Sequence, residues 1–225
     1  DTMVNFKKKD CYDIQDLEEI VRLLRAPGGC PWDREQTHLS LRRDFLEECY
    51  EAIEAIDTED SVLLREELGD VLLHLVFHSC IEEEKGSFNF YDVINDITAK
   101  MILRHPHVFG DVTVSNTAEI LANWDAIKKE TKGQKTQQET LESISPAMPA
   151  LMRSQKVLKK AVKNGIILDD DPKPHLQDLF LAKEIGEKEI GTMLSLVVTL
   201  AEQSGVDAEK ALSDHTKLFI QGVKS

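Results

Sequence analysis

Aromatic side chains make up only 6% of this chain, and positive charge is scarce, with 27 Lys and Arg against 41 Asp and Glu. A formal net charge of −14 would repel a phosphate backbone, which argues against a nucleic-acid-coating role. Small phosphates still bind to acidic proteins where metal cations mediate. Cysteine is sparse too: Cys11, Cys30, Cys49 and Cys80 include no CxxC pair, so neither a disulfide framework nor a zinc site is expected. No apolar run approaches the roughly 18 to 20 residues that cross a bilayer, and the longest useful one, Val71 to Phe77, is broken by His74. Lys7-Lys8-Lys9 runs into Asp10 and polar residues rather than an apolar stretch, so no secretory leader is expected and the expected location is cytoplasmic. Strand-like alternation is nearly absent, and no Ser/His/Asp arrangement is visible.

What is present is helical. Apolar residues form 41% of the chain, enough for a sizeable core, and they recur at helical spacing. The pattern predicts an all-α fold with helices over 12–26, 40–57, 60–84, 91–104 and 117–131, then over 147–163, 175–185, 187–204 and 207–221. Pro27-Gly28-Gly29 stops the first helix, and Pro31 is expected to hold the next stretch in a loop. Ser40 is the expected N-cap of the second helix, and Asp60 or Ser61 that of the third. Gly86 ends the third, and Pro106 follows the fourth. Residues 132–140 are polar, contain Gly133 and read as a linker, and Asp169-Asp170-Asp171-Pro172-Lys173-Pro174 is a second break. Two domains follow from this reading, 1–135 and 136–225.

The halves share a weak repeat. Glu67-Leu68-Gly69-Asp70-Val71-Leu72 lines up with Glu189-Ile190-Gly191-Thr192-Met193-Leu194, and each run leads to a glycine (Gly86, Gly205) and a further amphipathic helix carrying a lysine (Lys100, Lys217). Thr192 stands where the first copy has Asp70, and His175 to Phe180 holds no acidic cluster. The second half is therefore expected to be a degenerate copy, able to pack but not to perform the chemistry of the first.

That chemistry is expected on the second and third helices. Asp44, Glu47, Glu48, Glu51 and Glu54 share one side of the second helix, an arc of about 120°, with Phe45, Leu46, Cys49, Ala52, Ile53 and Ile56 opposite. Apolar residues surround nearly all of the third helix, which predicts a buried element. Glu67, Asp70, His74 and His78 occupy one narrow strip of it. Carboxylates in such surroundings need compensation, either from basic side chains or from divalent cations. Glu48/Glu51 and Glu67/Asp70 are i,i+3 pairs, each projecting two carboxylates from one face. Facing one another across an antiparallel helix pair, they would offer four oxygen ligands to one point, a donor set that suits Mg²⁺ or Mn²⁺. Glu47, on the flank, is placed to orient a water or bind a second ion. A ferritin-like di-iron centre needs Glu-x-x-His on two helices, whereas Glu48 and Glu67 carry Glu51 and Asp70 at that spacing. His74 and His78 read as hydrogen-bonded core residues rather than zinc ligands.

Five stretches then bear on family. Gly29-Cys30-Pro31-Trp32-Asp33-Arg34-Glu35-Gln36-Thr37-His38, Glu47-Glu48-Cys49-Tyr50-Glu51, Glu67-Leu68-Gly69-Asp70, Arg104-His105-Pro106-His107-Val108-Phe109 and Trp124-Asp125-Ala126-Ile127-Lys128, in this order and spacing, resemble the MazG family of all-α nucleoside triphosphate pyrophosphohydrolases. The likeness continues more faintly through Pro149 to Lys156 into the second half. It implies a helical bundle of four to five helices followed by a degenerate repeat, a homodimer, and metal-dependent cleavage of a nucleoside triphosphate into monophosphate and pyrophosphate. It makes Glu48, Glu51, Glu67 and Asp70 the Mg²⁺ ligands, and Lys100 and Arg104 the pair that holds the phosphates; i,i+4 spacing aims both cations at one place. Glu47 is the candidate for orienting or deprotonating the attacking water. Trp32 and His38, directly before the acidic helix, are candidates to stack on the base and to bond base or sugar, whereas Trp124 reads as packing and Lys128 as a surface lysine. The competing expectations are a non-hydrolysing nucleotide-binding regulator and an acidic helical interaction module.

Overall fold

The computed structural model describes residues 6–131, 136–166, 171–182 and 184–223. Those residues form twelve helices and no strand, as the helical spacing predicts. The chain divides into two compact units, Asp1–Trp124 and Asp125–Ser225. The division expected at 135/136 falls beside residues 132–135, which lie outside the described residues.

In the first unit, α1 (Ile14–Arg25) opens on a reciprocal cap. The Asp13 side chain accepts from the Gln15 and Asp16 amides, and Asp16 accepts from the Asp13 amide. Pro31 then begins a helix rather than a loop. It stands in the first turn of α2 (Pro31–Glu35), where its missing N–H costs nothing and its fixed φ suits the helix. The start of α3 (Arg42–Asp57) also differs from expectation, with Leu41 at the N-cap and no side-chain cap. Leu41 is drawn into the core, while the Ser40 hydroxyl closes a turn by donating to Gln36 and accepting from the Thr37 amide. Asp60 caps α4 (Ser61–Glu84) as expected, accepting from the Val62 and Leu63 amides at 3.0 Å. Asn89 caps α5 (Phe90–Arg104), and α6 (Pro106–Phe109) and α7 (Thr117–Thr131) follow.

At 24 residues α4 is about 36 Å long, and α1, α3 and α5 all pack on it. The core lies on its C-terminal half, where Val76, Phe77, Cys80 and Ile81 meet Val21, Leu41 and Phe90. The expectation of a helix buried on all sides is corrected, since Val62 and Leu68 in the N-terminal half are 77% and 54% exposed and Leu75 beside the core is 41% exposed. Three neighbours cover three sides of a helix, and the remaining apolar strip faces outward. Arg22 and Arg25 tie α1 to the end of α4. Arg22 donates to Glu18 and Glu83, and Arg25 to Glu84 and to the Asp33 and Gln36 carbonyls. The carbonyl contacts also fix α2.

The second unit contains α8 (Gln137–Glu142), α9 (Ala150–Lys163), α10 (Lys173–Phe180), α11 (Glu187–Gln203) and α12 (Ala208–Gly222). The linker expected over 132–140 is helical from Gln137, because Thr136 and Glu139 form a capping box; residues 132–135 lie outside the described residues. The break expected over 169–174 ends earlier than predicted, with α10 beginning at Lys173 and Pro174 in its first turn. α9 packs on α8, α11 and α12, and α10 on α11. Gly205 before α12 and Gly86 before α5 share a left-handed conformation, φ 68° and 73°, as Gly165 after α9 does at φ 80°. The helix ahead of the second aligned run differs from that ahead of the first, α10 having eight residues where α3 has sixteen.

Candidate active site

The pairing of α3 with α4 places Glu48 against Glu67 and Asp70. One carboxylate oxygen from each lies within 4.8 Å of the others. Glu67 is buried, 7% exposed, and Glu48 and Asp70 are half-buried. Among the described residues no lysine or arginine forms an ion pair with any of the three. Burial pushes the Glu48 carboxyl up to about 7, reinforced by the charges of Asp70, Glu51 and Glu67. Burial also raises Glu67, with Glu51 and Asp70 adding to the effect. A hydrogen bond joins Glu48 and Glu67 and favours a proton on Glu48. Of the two compensations open to such a cluster, basic partners are absent among the described residues, and the donor set is one that fits a hard divalent cation.

The other candidates are distributed around this cluster. Glu51 lies one turn along α3 and is exposed, outside the close trio yet near enough for its charge to act on Glu48 and Glu67. Glu47 is exposed and accepts from Arg43 on its own helix at 2.9 Å. Lys100 is exposed on α5. Arg104 ends the same helix with its guanidinium 5.3 Å from the Trp124 ring centre, and its Nε is buried without a hydrogen-bond partner. His105 packs edge-on to the same indole at 4.9 Å, so Trp124 is a packing residue in this unit. Trp32, on α2, is 60% exposed.

His38 is placed differently from the expectation that it meets base or sugar, because protein groups occupy both ring nitrogens. Nδ1 is 2.8 Å from His78 Nδ1, and Nε2 is 2.5 Å from Glu82 Oε1. Glu82 also accepts from Lys85 at 2.6 Å. These bonds, that of Lys85 foremost and then that of His38, hold the Glu82 carboxyl down at about 2. Phe45 packs against His74 and His78, with ring centres 5.6 and 5.7 Å away. Burial depresses both imidazoles below the ordinary histidine value. His74 and His78 are half-buried beside the core rather than within it, and sequence reasoning missed the link of His78 to His38. The two partners are forty positions apart, and only the strip that His78 shares with Glu67 and Asp70 hinted at it.

Residues 36–109 match the model of the MazG nucleotide pyrophosphohydrolase domain. A Thermotoga maritima protein named nucleoside triphosphate pyrophosphohydrolase/pyrophosphatase MazG is 39% identical over 219 residues, covering 94% of this chain and 84% of its own length. The Escherichia coli K12 nucleoside triphosphate pyrophosphohydrolase is 38% identical over 220 residues, 92% of this chain and 84% of the relative. A Mycobacterium tuberculosis protein of the same name is 39% identical over 155 residues, 68% of this chain and 46% of the relative. The matched segment contains the acidic trio together with Glu47, Glu51, Lys100 and Arg104. With likeness running through both units at this level of identity, the chain belongs to the MazG nucleotide pyrophosphohydrolase family.

Proposed function

We propose that the protein hydrolyses nucleoside triphosphates to the monophosphate and pyrophosphate, using Mg²⁺, or Mn²⁺ in its place, held by Glu48, Glu51, Glu67 and Asp70. The observation that carries this reading is the trio of carboxylates whose oxygens lie within 4.8 Å of one another with no basic partner among the described residues. When bound, a divalent cation supplies Lewis-acid activation of phosphate oxygens and cancels their repulsion from an acidic chain. The protein groups do the rest. Glu48 gives up its proton to become a ligand, and Glu67 is held in place by burial on α4. Lys100 and Arg104 meet the charge that develops on the departing pyrophosphate, with Trp124 orienting the guanidinium. Glu47 is assigned to the attacking water. Its present bond to Arg43 is an exposed i,i+4 pair, worth roughly 0.3–0.5 kcal/mol, so it exchanges partners at little cost. Trp32 is the base-stacking group.

The first unit is the catalytic domain in this reading. The second, with Thr192 in place of Asp70 and a short α10, is a degenerate packing domain. The apolar side chains left exposed on α3 and α4 fit a homodimer. A cytoplasmic location fits the absence of any described helix long and apolar enough to cross a membrane. The test is a panel of triphosphates incubated with Mg²⁺ and read by released pyrophosphate. Pyrophosphate and monophosphate in equal amounts are expected; orthophosphate as the only phosphorus product, or binding without turnover, would overturn the assignment.

A further inference from the structure

The α2–α3 loop is held against α4 by two contacts of opposite kind. Leu41 anchors it through the apolar core, and His38 through a chain of hydrogen bonds to His78 and Glu82. The same loop is knitted back to Trp32: Gln36 Nε2 donates to the Trp32 carbonyl at 2.9 Å, and Ser40 Oγ donates to Gln36 Oε1 at 2.7 Å. We propose that His38 and His78 are positioning residues forming a one-proton latch, which sets the loop and Trp32 for the nucleotide base and opens when a second proton is added. This rests on the reading of Trp32 as part of the nucleotide site.

The proton count follows from the geometry. The His38 and His78 rings are nearly coplanar, 17° apart, with their Nδ1 atoms facing across 2.8 Å. Such a contact is a bond only when one nitrogen carries the hydrogen and the other a lone pair. Glu82 is a carboxylate near neutrality and can only accept, so His38 Nε2 must be an N–H. With His38 neutral, its Nδ1 is a lone pair and His78 donates. With one proton added, His38 donates from both nitrogens and His78 accepts, its own hydrogen moving to Nε2. A second added proton sets N–H against N–H, and the contact fails. The groups that bias this step are His74, Glu82 and Lys85 on α4, with Asp44 on α3 and Asp70 on α4, whose charges act through His74. Burial first, and then the charges of His38 and His74, keep the second proton off His78 until the pH falls below the ordinary histidine range.

The full chain, labelled with ¹⁵N-histidine, supplies the direct test. A protected Nδ1 proton shared by His38 and His78 is expected at pH 7–8, vanishing as His78 titrates on acidification and absent in His38→Ala. At saturating Mg²⁺, His38→Ala is expected to raise KM about tenfold and change kcat by less than about threefold. His78→Asn, whose amide N–H can take the place of Nδ1–H, is expected to keep KM near the wild-type value and to lose the acid-side rise in KM. Two imidazoles that titrate independently with no protected proton would overturn the latch. So would a His38→Ala variant, folded by circular dichroism, with unchanged KM. A wild-type chain that hydrolyses no triphosphate would sink the proposed function instead, and the imidazole spectrum would then decide the latch alone.

Discussion

The unusual residue is Glu48, a carboxyl that holds a proton near neutrality because burial and three neighbouring acids oppose its ionisation. Its folded-state value of about 7 lies above the ordinary 4.5, so the folded chain binds the extra proton between these limits. Stability without metal therefore falls as pH rises from about 4.5 to about 7. Glu48→Gln is expected to flatten that limb. At pH 8 without metal it should melt a few degrees above the wild type, a gain on the order of 1 kcal/mol after solvent screening. Added Mg²⁺ should reverse the order if the proposed ligands hold it, since only the wild type keeps all four; at 100 times Kd a bound ion contributes about 2.7 kcal/mol. Thermal melts with EDTA and with Mg²⁺ across pH 5–8 check both halves. Asp70→Asn and Glu67→Gln remove proposed ligands in the same way, and each is expected to lower kcat about 10²-fold or more with the helical spectrum unchanged. Pyrophosphate release measures the loss.

At the scale of elements, α4 depends on its first turn. Asp60 satisfies two amides that would otherwise be unpaired, and Asp60→Ala is expected to cost about 1 kcal/mol, seen as a lower denaturant midpoint with an unchanged slope. This cap was legible in the sequence because Asp precedes a long apolar-rich run. The long helices were legible for the same reason: periodicity accumulates over α3, α4, α5 and α11. The short ones were not. α2 has five residues and opens with a proline that reads equally as loop or first turn, and α8 is announced only by the spacing of Thr136 and Glu139. Of the four carboxylates expected around one point, Glu48, Glu67 and Asp70 come together and Glu51 stays outside; the Glu67/Asp70 pair was legible because i,i+3 spacing along a helix fixes direction, whereas which member of Glu48/Glu51 faces it depends on how α3 packs on α4. The histidine contact was not, because whether a loop residue reaches α4 is decided by where Leu41 buries. Composition also misled in one respect. Apolar residues on nearly every side of α4 predict a buried element, and the structure leaves Leu68 and Leu75 uncovered.

That uncovered surface gives the whole molecule its expected state. Leu46 and Ile53 on α3 and Leu68 and Leu75 on α4 are all 41–54% exposed, and Ile56 and Val62 on the same helices are exposed as well. Residues 125–225 carry as many basic as acidic side chains, so the whole formal charge of −14 belongs to the first unit. Two such units repel at long range, and association requires apolar burial large enough to outweigh that repulsion. A standard stable interface removes about 1,600 Å² from water, more than four side chains supply, so α5 has to contribute. Its Ile94, Ile97 and Ile102 are exposed as well. A dimer is therefore expected in solution, and it should be tighter at 0.5 M NaCl than at low salt because screening relieves the acidic repulsion. Leu68→Asp places a charge within the apolar strip and is expected to yield monomers, melting below the wild type because the strip then stays in water. Sedimentation equilibrium at two salt concentrations measures the mass directly. A wild-type chain that runs as a monomer at both would mean that exposed leucine and isoleucine on these helices are tolerated singly, as scattered apolar side chains on a highly charged surface can be.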